Sequence, residues 1–180
     1  ASTYLIRRLT GVNALDLTQA SLSGMVLSGK EDQWDAELLD VGGIRSDQLP
    51  RLAASSDVVG EVSSSAAAEC GLRKGTPVVA GAGDAPLAAF GGGVVAPHEL
   101  FCSAGTTDCI MFTGNRPPTN PVFANMRYVC PGLWVSIGTM STAGASVKWL
   151  CGGVLQCSAD ELTGWATEAP VGSDGVIFLP

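Results

Sequence analysis

Residues 78 to 93 read VVAGAGDAPLAAFGGG, and their one charge, Asp84, stands between strand formers and a run of Ala, Leu and Phe. Paired valines favour a pleated strand, and Ala, Leu and Phe before three glycines favour a helix that stops there. The order predicts a strand over 76–83, a corner, and a helix over 84–91. A strand that feeds directly into a helix belongs to mixed α/β architecture. Two roles for the acid stay open. At the helix start a carboxylate can act as a cap, held by free N–H groups and the helix dipole. Kept ionised there, it can also accept the proton of a substrate hydroxyl.

The rest of the chain fits the same class. EDQWDAELLDVGGI (31–44) predicts a helix with Trp34, Leu38 and Val41 on one face, stopped by Gly42 and Gly43. SSSAAAECGL predicts a short helix ending at Gly71. LFCSAG and DCIMFTG read as strands around the turn AGTTD, and MRYVCPG and LWVSIGTM as a second pair around Pro131-Gly132. TAGASVKWLCGGV and SADELTGWATEA read as helices, the second with Ser158 as N-cap and Glu161 at the capping-box position. GVIFLP predicts a final strand. GGGVVAPHEL is the best candidate for a domain boundary.

Composition narrows the function classes. The 180 residues can bury a sizeable core; 46% are hydrophobic and the mean hydropathy is +0.29. No apolar run approaches the roughly 18 residues needed to cross a membrane. The start, ASTYLIRRLTG, has no signal-peptide order and no initiator methionine, and reads as the start of a fragment. A net charge of -7 with ten scattered Lys and Arg argues against nucleic acid as a partner. Six cysteines without C-x-x-C and a single histidine, His98, argue against structural zinc. The cysteines read as mostly reduced and buried, hence a cytoplasmic protein.

Three motifs carry chemistry. Gly81-x-Gly83 lacks the third glycine of a dinucleotide fingerprint, because Pro86 stands there, and GLRKGT is not a P-loop. SAGTTDC (103–109) offers Gly105 for a tight turn and the hydroxyls of Thr106 and Thr107, which can cradle phosphate or simply connect strands. STAGASVKWL (141–150) puts small residues at a helix start, for close ligand approach or close packing, with Lys148 one turn beyond Gly144 on the same face.

Taken in order, GTPVVAGAGD…GGG, GTTD and PGLWVSIGTMSTAGASVKWL resemble the FGGY carbohydrate kinases, most nearly the xylulokinase-type pentulose kinases. TG…LDLTQASLSGM, VVGEV, GLRKGTPV and APVGSDGVIFLP fit the same family, so the resemblance covers essentially the whole chain. It implies an actin-like (ribonuclease H-like) ATPase fold around a two-domain cleft, of which this chain is an internal fragment. Residues 1–93 would end the N-terminal domain, 94–99 would link, and 100–180 would start the C-terminal domain.

By position, Asp84 matches the catalytic base, and Ala85 stands where many members place a sugar-contacting polar side chain. Gly105, Thr106 and Thr107 match a phosphate loop, and Gly144 and Lys148 match helix positions near the ATP phosphates. The resemblance implies ATP with Mg²⁺, the metal-holding acid lying upstream and no metal ligand here. It also implies transfer of a γ-phosphate to a hydroxyl of a ketose, xylulose foremost, or of a polyol. The partners implied are sugar and ATP, with no membrane or nucleic acid and with a homodimer left open. The isolated chain is expected to be inactive. The alternative is a non-catalytic actin-like module with a structural or assembly role.

Overall fold

The computed structural model describes residues 2–26, 32–117 and 119–179. The chain divides into two compact units, Ala1–Phe101 with Met111–Ile137, and Cys102–Ile110 with Gly138–Pro180. The fold is mixed α/β. Among the described residues no helix is long and apolar enough to cross a membrane.

The first unit opens with helix α1 (Ser2–Thr10), whose buried residue is Ile6. Ile6 packs with Ala14, Ala53, Val59 and Ala80. Those four come from separate stretches, so this small core ties the segment together. Strand β1 (Ala14–Asp16) leads at once into helix α2 (Leu17–Leu22). Helix α3 (Ala36–Val41) follows, and strand β2 (Arg51–Ala53) pairs with β1 in parallel, Ala14 opposite Arg51. Strands β3 (Val58–Glu61) and β4 (Pro77–Val79) are antiparallel, joined by helix α4 (Ser64–Cys70). Gly71 ends α4 at φ 73°, a left-handed conformation that glycine adopts without penalty. Helix α5 (Asp84–Gly91) then buries Pro86 and Ala89.

The stretch expected as a linker, 94–99, lies in the first unit and is densely bonded. Glu99 Oε2 accepts from the N–H groups of Val95 (2.7 Å) and Ala96 (2.9 Å). The buried Thr113 hydroxyl donates to the Ala96 carbonyl at 2.7 Å, and the Tyr128 hydroxyl donates to the Val94 carbonyl at 2.9 Å.

Strands β5 (Leu100–Ala104), β6 (Asp108–Gly114), β7 (Ala124–Arg127) and β8 (Trp134–Met140) form a sheet of order β5-β6-β8-β7. β7 and β8 are antiparallel, with Arg127 opposite Trp134. The Arg127 guanidinium sits 4.5 Å from the Trp134 ring centre and pairs with Asp32 at 2.7 Å, while the Arg127 backbone N–H donates to Ser21 Oγ at 2.9 Å. The second unit holds helix α6 (Gly144–Trp149), a π-helical turn over Leu150–Leu155, and helix α7 (Ala159–Glu168). Ser158 and Glu161 cap α7 reciprocally, as their spacing predicts.

Several expectations are corrected. The helix expected over 31–44 is only Ala36–Val41, because Asp35 accepts from the N–H groups of Glu37 and Leu38 and starts it there. Trp34 instead bridges Val26, and Leu39 rather than Leu38 or Val41 is buried. Glu31 lies outside the described residues. GVIFLP is no strand over Val176–Leu179: it finds no pairing partner among the described residues, and its apolar side chains are exposed. None of the six cysteines forms a disulfide, and of the six Cys151 is the buried one.

Candidate active site

Asp84 owes its place to the corner before it. After β4, the N–H groups of Ala80 and Gly81 donate to the carbonyls of Asp57 and Ser55, each at 3.0 Å. Gly83 is the N-cap of α5, with extended backbone and no capping side chain. The corner is held instead from across the chain. The Gly83 N–H donates to Thr18 Oγ1 at 2.9 Å, and the Thr18 hydroxyl donates to Asp16 Oδ1. Asp16 also accepts from the Gln19 backbone (3.0 Å) and side-chain amide (2.6 Å). Asp16 and Thr18 are 0% and 1% exposed.

Asp84 is not itself the N-cap, though it stands in the first turn. Gly83 occupies the cap, and Asp84 is the first helical residue, where its charge still faces the positive end of the helix. Its carboxylate is exposed and, among the described residues, accepts one bond, from the Ala85 N–H at 2.8 Å. Its remaining lone pairs can take a proton donor from solution. Ala85 is half-buried and offers only a methyl group.

In the second unit the structure brings together two of the motifs. The Gly105 N–H donates to the Thr107 carbonyl at 2.9 Å, closing the turn. Ala143 and Ala145 N–H groups donate to the Thr106 carbonyl at 3.0 and 3.2 Å, and the Gly144 N–H donates to the Gly105 carbonyl at 2.9 Å. The amides at the start of α6 are therefore already occupied by the turn. What stays available is the pair of threonine hydroxyls, exposed and in no hydrogen bond among the described residues, together with the exposed Lys148. Hydroxyls and an ammonium are donors suited to phosphate oxygens. Among the described residues no three of His, Cys, Asp or Glu gather as a metal cradle, so an associated Mg²⁺ would find only isolated ligands here.

The Cys102 thiol is a poor nucleophile. It donates to Asp108 at 3.4 Å, and that bond, with partial burial and the nearby charge, holds it above the usual thiol range. His98 sits in a turn at φ 68°, its ring 6.1 Å from that of Phe112.

Sequence reasoning passed over Asp16 and Thr18. Their signal is an acid followed two residues later by threonine, set among apolar residues in ALDLTQA.

Comparison with known proteins gives this geometry its context. Residues 1–91 match the FGGY family of carbohydrate kinases, N-terminal domain. The chain is 34% identical over 151 residues to an autoinducer-2 kinase of Escherichia coli (strain K12), a match covering 82% of this chain and 28% of the relative. The chain thus spans little more than a quarter of the length of the curated relatives it matches. A xylulose kinase from Rhodospirillum rubrum superposes with a TM-score of 0.89 at 27% identity, over 99% of this chain and 37% of that one. A gluconate kinase from Lactobacillus acidophilus does so with a TM-score of 0.89 at 26% identity and the same coverage. With half its residues in one family domain and nearly all of its backbone matching solved sugar kinases, the chain belongs to the FGGY family of carbohydrate kinases.

Proposed function

We propose that these residues serve an ATP-dependent carbohydrate kinase that phosphorylates a ketose, a pentulose such as xylulose foremost, or a polyol. The observation that carries this reading is the Asp84 carboxylate: exposed, at the start of α5, and engaged among the described residues only by the adjacent Ala85 N–H. The xylulose kinase likeness supports a pentulose, while the autoinducer-2 kinase and gluconate kinase likenesses define the rival substrates to test.

Asp84 orients the acceptor hydroxyl and would take its proton as the sugar oxygen bonds to the γ-phosphorus and the bond from that phosphorus to the ADP oxygen breaks, ADP leaving with the electron pair. Thr106, Thr107 and Lys148 hold the phosphate oxygens by hydrogen bonds and charge, and Gly105 and Gly144 keep the backbone there compact. ATP, when bound with Mg²⁺, supplies the phosphoryl group. Ala85 adds no polar contact, so specificity among sugars comes from residues other than this one. Residues 1–93 are the end of the N-terminal domain, 94–99 its link, and 100–180 the start of the C-terminal domain, in a cytoplasmic protein of the relatives' length.

The test is ADP release over pentuloses, hexuloses, gluconate and polyols, with the protein at the relatives' length and with the 180-residue chain alone. The longer protein is expected to turn over a pentulose best and the chain alone to be silent. Asp84→Asn should abolish turnover while ATP still binds. Turnover within a few-fold of the parent would remove Asp84 as the base.

A further inference from the structure

We infer that Thr18 is a positioning residue for the Asp84 carboxylate, acting through the Gly83 amide; this rests on the reading of Asp84 as the base. Gly83 sets the direction in which α5, and with it the Asp84 side chain, leaves the corner. Its carbonyl already accepts the first helical bond, from the Leu87 N–H at 3.1 Å. Its N–H has the Thr18 hydroxyl as partner, 65 residues away in sequence.

A hydroxyl has one proton to give and lone pairs to offer. The Thr18 proton goes to Asp16 Oδ1, which aims the lone pairs at Gly83. Asp16 is fixed in turn by the backbone and side-chain amides of Gln19, whose side-chain amide also donates to Ser2 Oγ at 2.8 Å. The Thr18–Asp16 bond is buried and the bonds to Gly83 and Gln19 are part-buried, so water competes little for the bond that orients the Thr18 hydroxyl.

Asp16 is the N-cap of α2 and accepts the Gln19 N–H in that role, but capping of neither helix explains why the Thr18 hydroxyl is turned to the Gly83 N–H. A β-carbon on Gly83 would meet only ordinary contacts, 3.5 Å from Pro86 Cδ and 3.6 Å from Thr18 Oγ1, and its φ of -62° suits any residue. A capping serine would therefore fit at position 83. The chain holds the corner from β1–α2 instead, which leaves the space beside Asp84 free of a side chain. A general base must stand within hydrogen-bond reach of the proton it takes, so a corner pinned from β1–α2 has a catalytic use.

The test compares Thr18→Val, Thr18→Ser and Asp84→Asn by amide exchange at Gly83 and by kinase turnover in the longer protein. In Thr18→Val the Gly83 amide should exchange about tenfold faster or more, having lost its partner. Turnover should fall by up to about 100-fold through displacement of the base, with KM for ATP little changed. Thr18→Ser should retain both properties. Should Thr18→Val not fold, Thr18→Ala against Thr18→Ser repeats the comparison without an added methyl beside Asp16. Unchanged Gly83 exchange, or a serine variant as impaired as valine, would overturn the inference. So would full turnover in Thr18→Val where Asp84→Asn is dead. Turnover retained in Asp84→Asn would remove the base reading and this inference with it. That failure is distinguishable, because Gly83 exchange would still respond to Thr18→Val.

Discussion

The Gly144 N–H donates to the Gly105 carbonyl at 2.9 Å, and a β-carbon on Gly144 would stand 2.6 Å from that same oxygen. The approach is closer than any side-chain-bearing residue allows, and the neighbour is backbone, which cannot swing aside. Gly144→Ala should therefore displace the 105–107 turn or the start of α6, destabilising the chain by about 1–3 kcal/mol. Urea denaturation measures this; an unchanged midpoint would mean the turn yields freely.

Thr106→Val tests the other face of that turn. The side chain is exposed and makes no hydrogen bond among the described residues, while the Thr106 carbonyl, which the substitution keeps, holds Ala143 and Ala145. Stability should stay put, and kinase turnover in the longer protein should fall by the loss of a charged hydrogen bond, roughly 1.5–3 kcal/mol. A lower melting temperature with ATP kinetics unchanged would make the hydroxyl structural.

Glu99 gives a prediction at acid pH. The N–H groups of Ala96 and Val95 hold its carboxyl below the ordinary value of 4.5, with a small opposing effect of burial. Its folded pKa is depressed, so its contribution is complete above 4.5 and is lost as pH falls through the folded value. A carboxyl-carbon NMR titration should find the Glu99 midpoint below that of the unfolded chain, and Glu99→Gln should flatten the acid limb of the stability curve. Coincident midpoints would dissolve the claim.

Tyr128 gives one at alkaline pH. Burial, with lesser repulsion from Cys130 and Glu99, pushes its phenol up to about 12. The folded state prefers the neutral form, so stability is complete below 10 and declines as pH rises toward 12. In a Tyr4→Phe background, phenolate absorbance should rise near 12, and a rise near 10 would show the ring open to water.

Local signals were legible where they repeat along the chain. The strand before Asp84, the helix after it, the Gly71 stop and the Ser158–Glu161 cap are all written within a few residues. Sequence patterns also picked out Gly105 and Gly144, 39 positions apart, though not that they touch. Asp16 and Thr18 escaped because β1 is three residues long and their meaning lies in Gly83, far along the chain. Helix α1 escaped because its apolar residues are mostly exposed, Ile6 alone being buried. The final strand failed for the converse reason: strand-forming residues need a partner, and Val176–Leu179 has none among the described residues.

The first unit's return through Met111–Ile137 bears on how the protein is made. Ser21 waits for the Arg127 N–H, and Val94 for the Tyr128 hydroxyl, 106 and 34 residues later. A ribosome delivering the chain from its amino end releases the 1–91 segment well before those partners exist. During synthesis that segment would stay unfinished, with the α2 face that meets β7 still wet, until residues past Tyr128 emerge. A nascent chain paused near position 100 should accordingly be open to protease around α2, and one paused beyond the exit of Ile137 should be closed there.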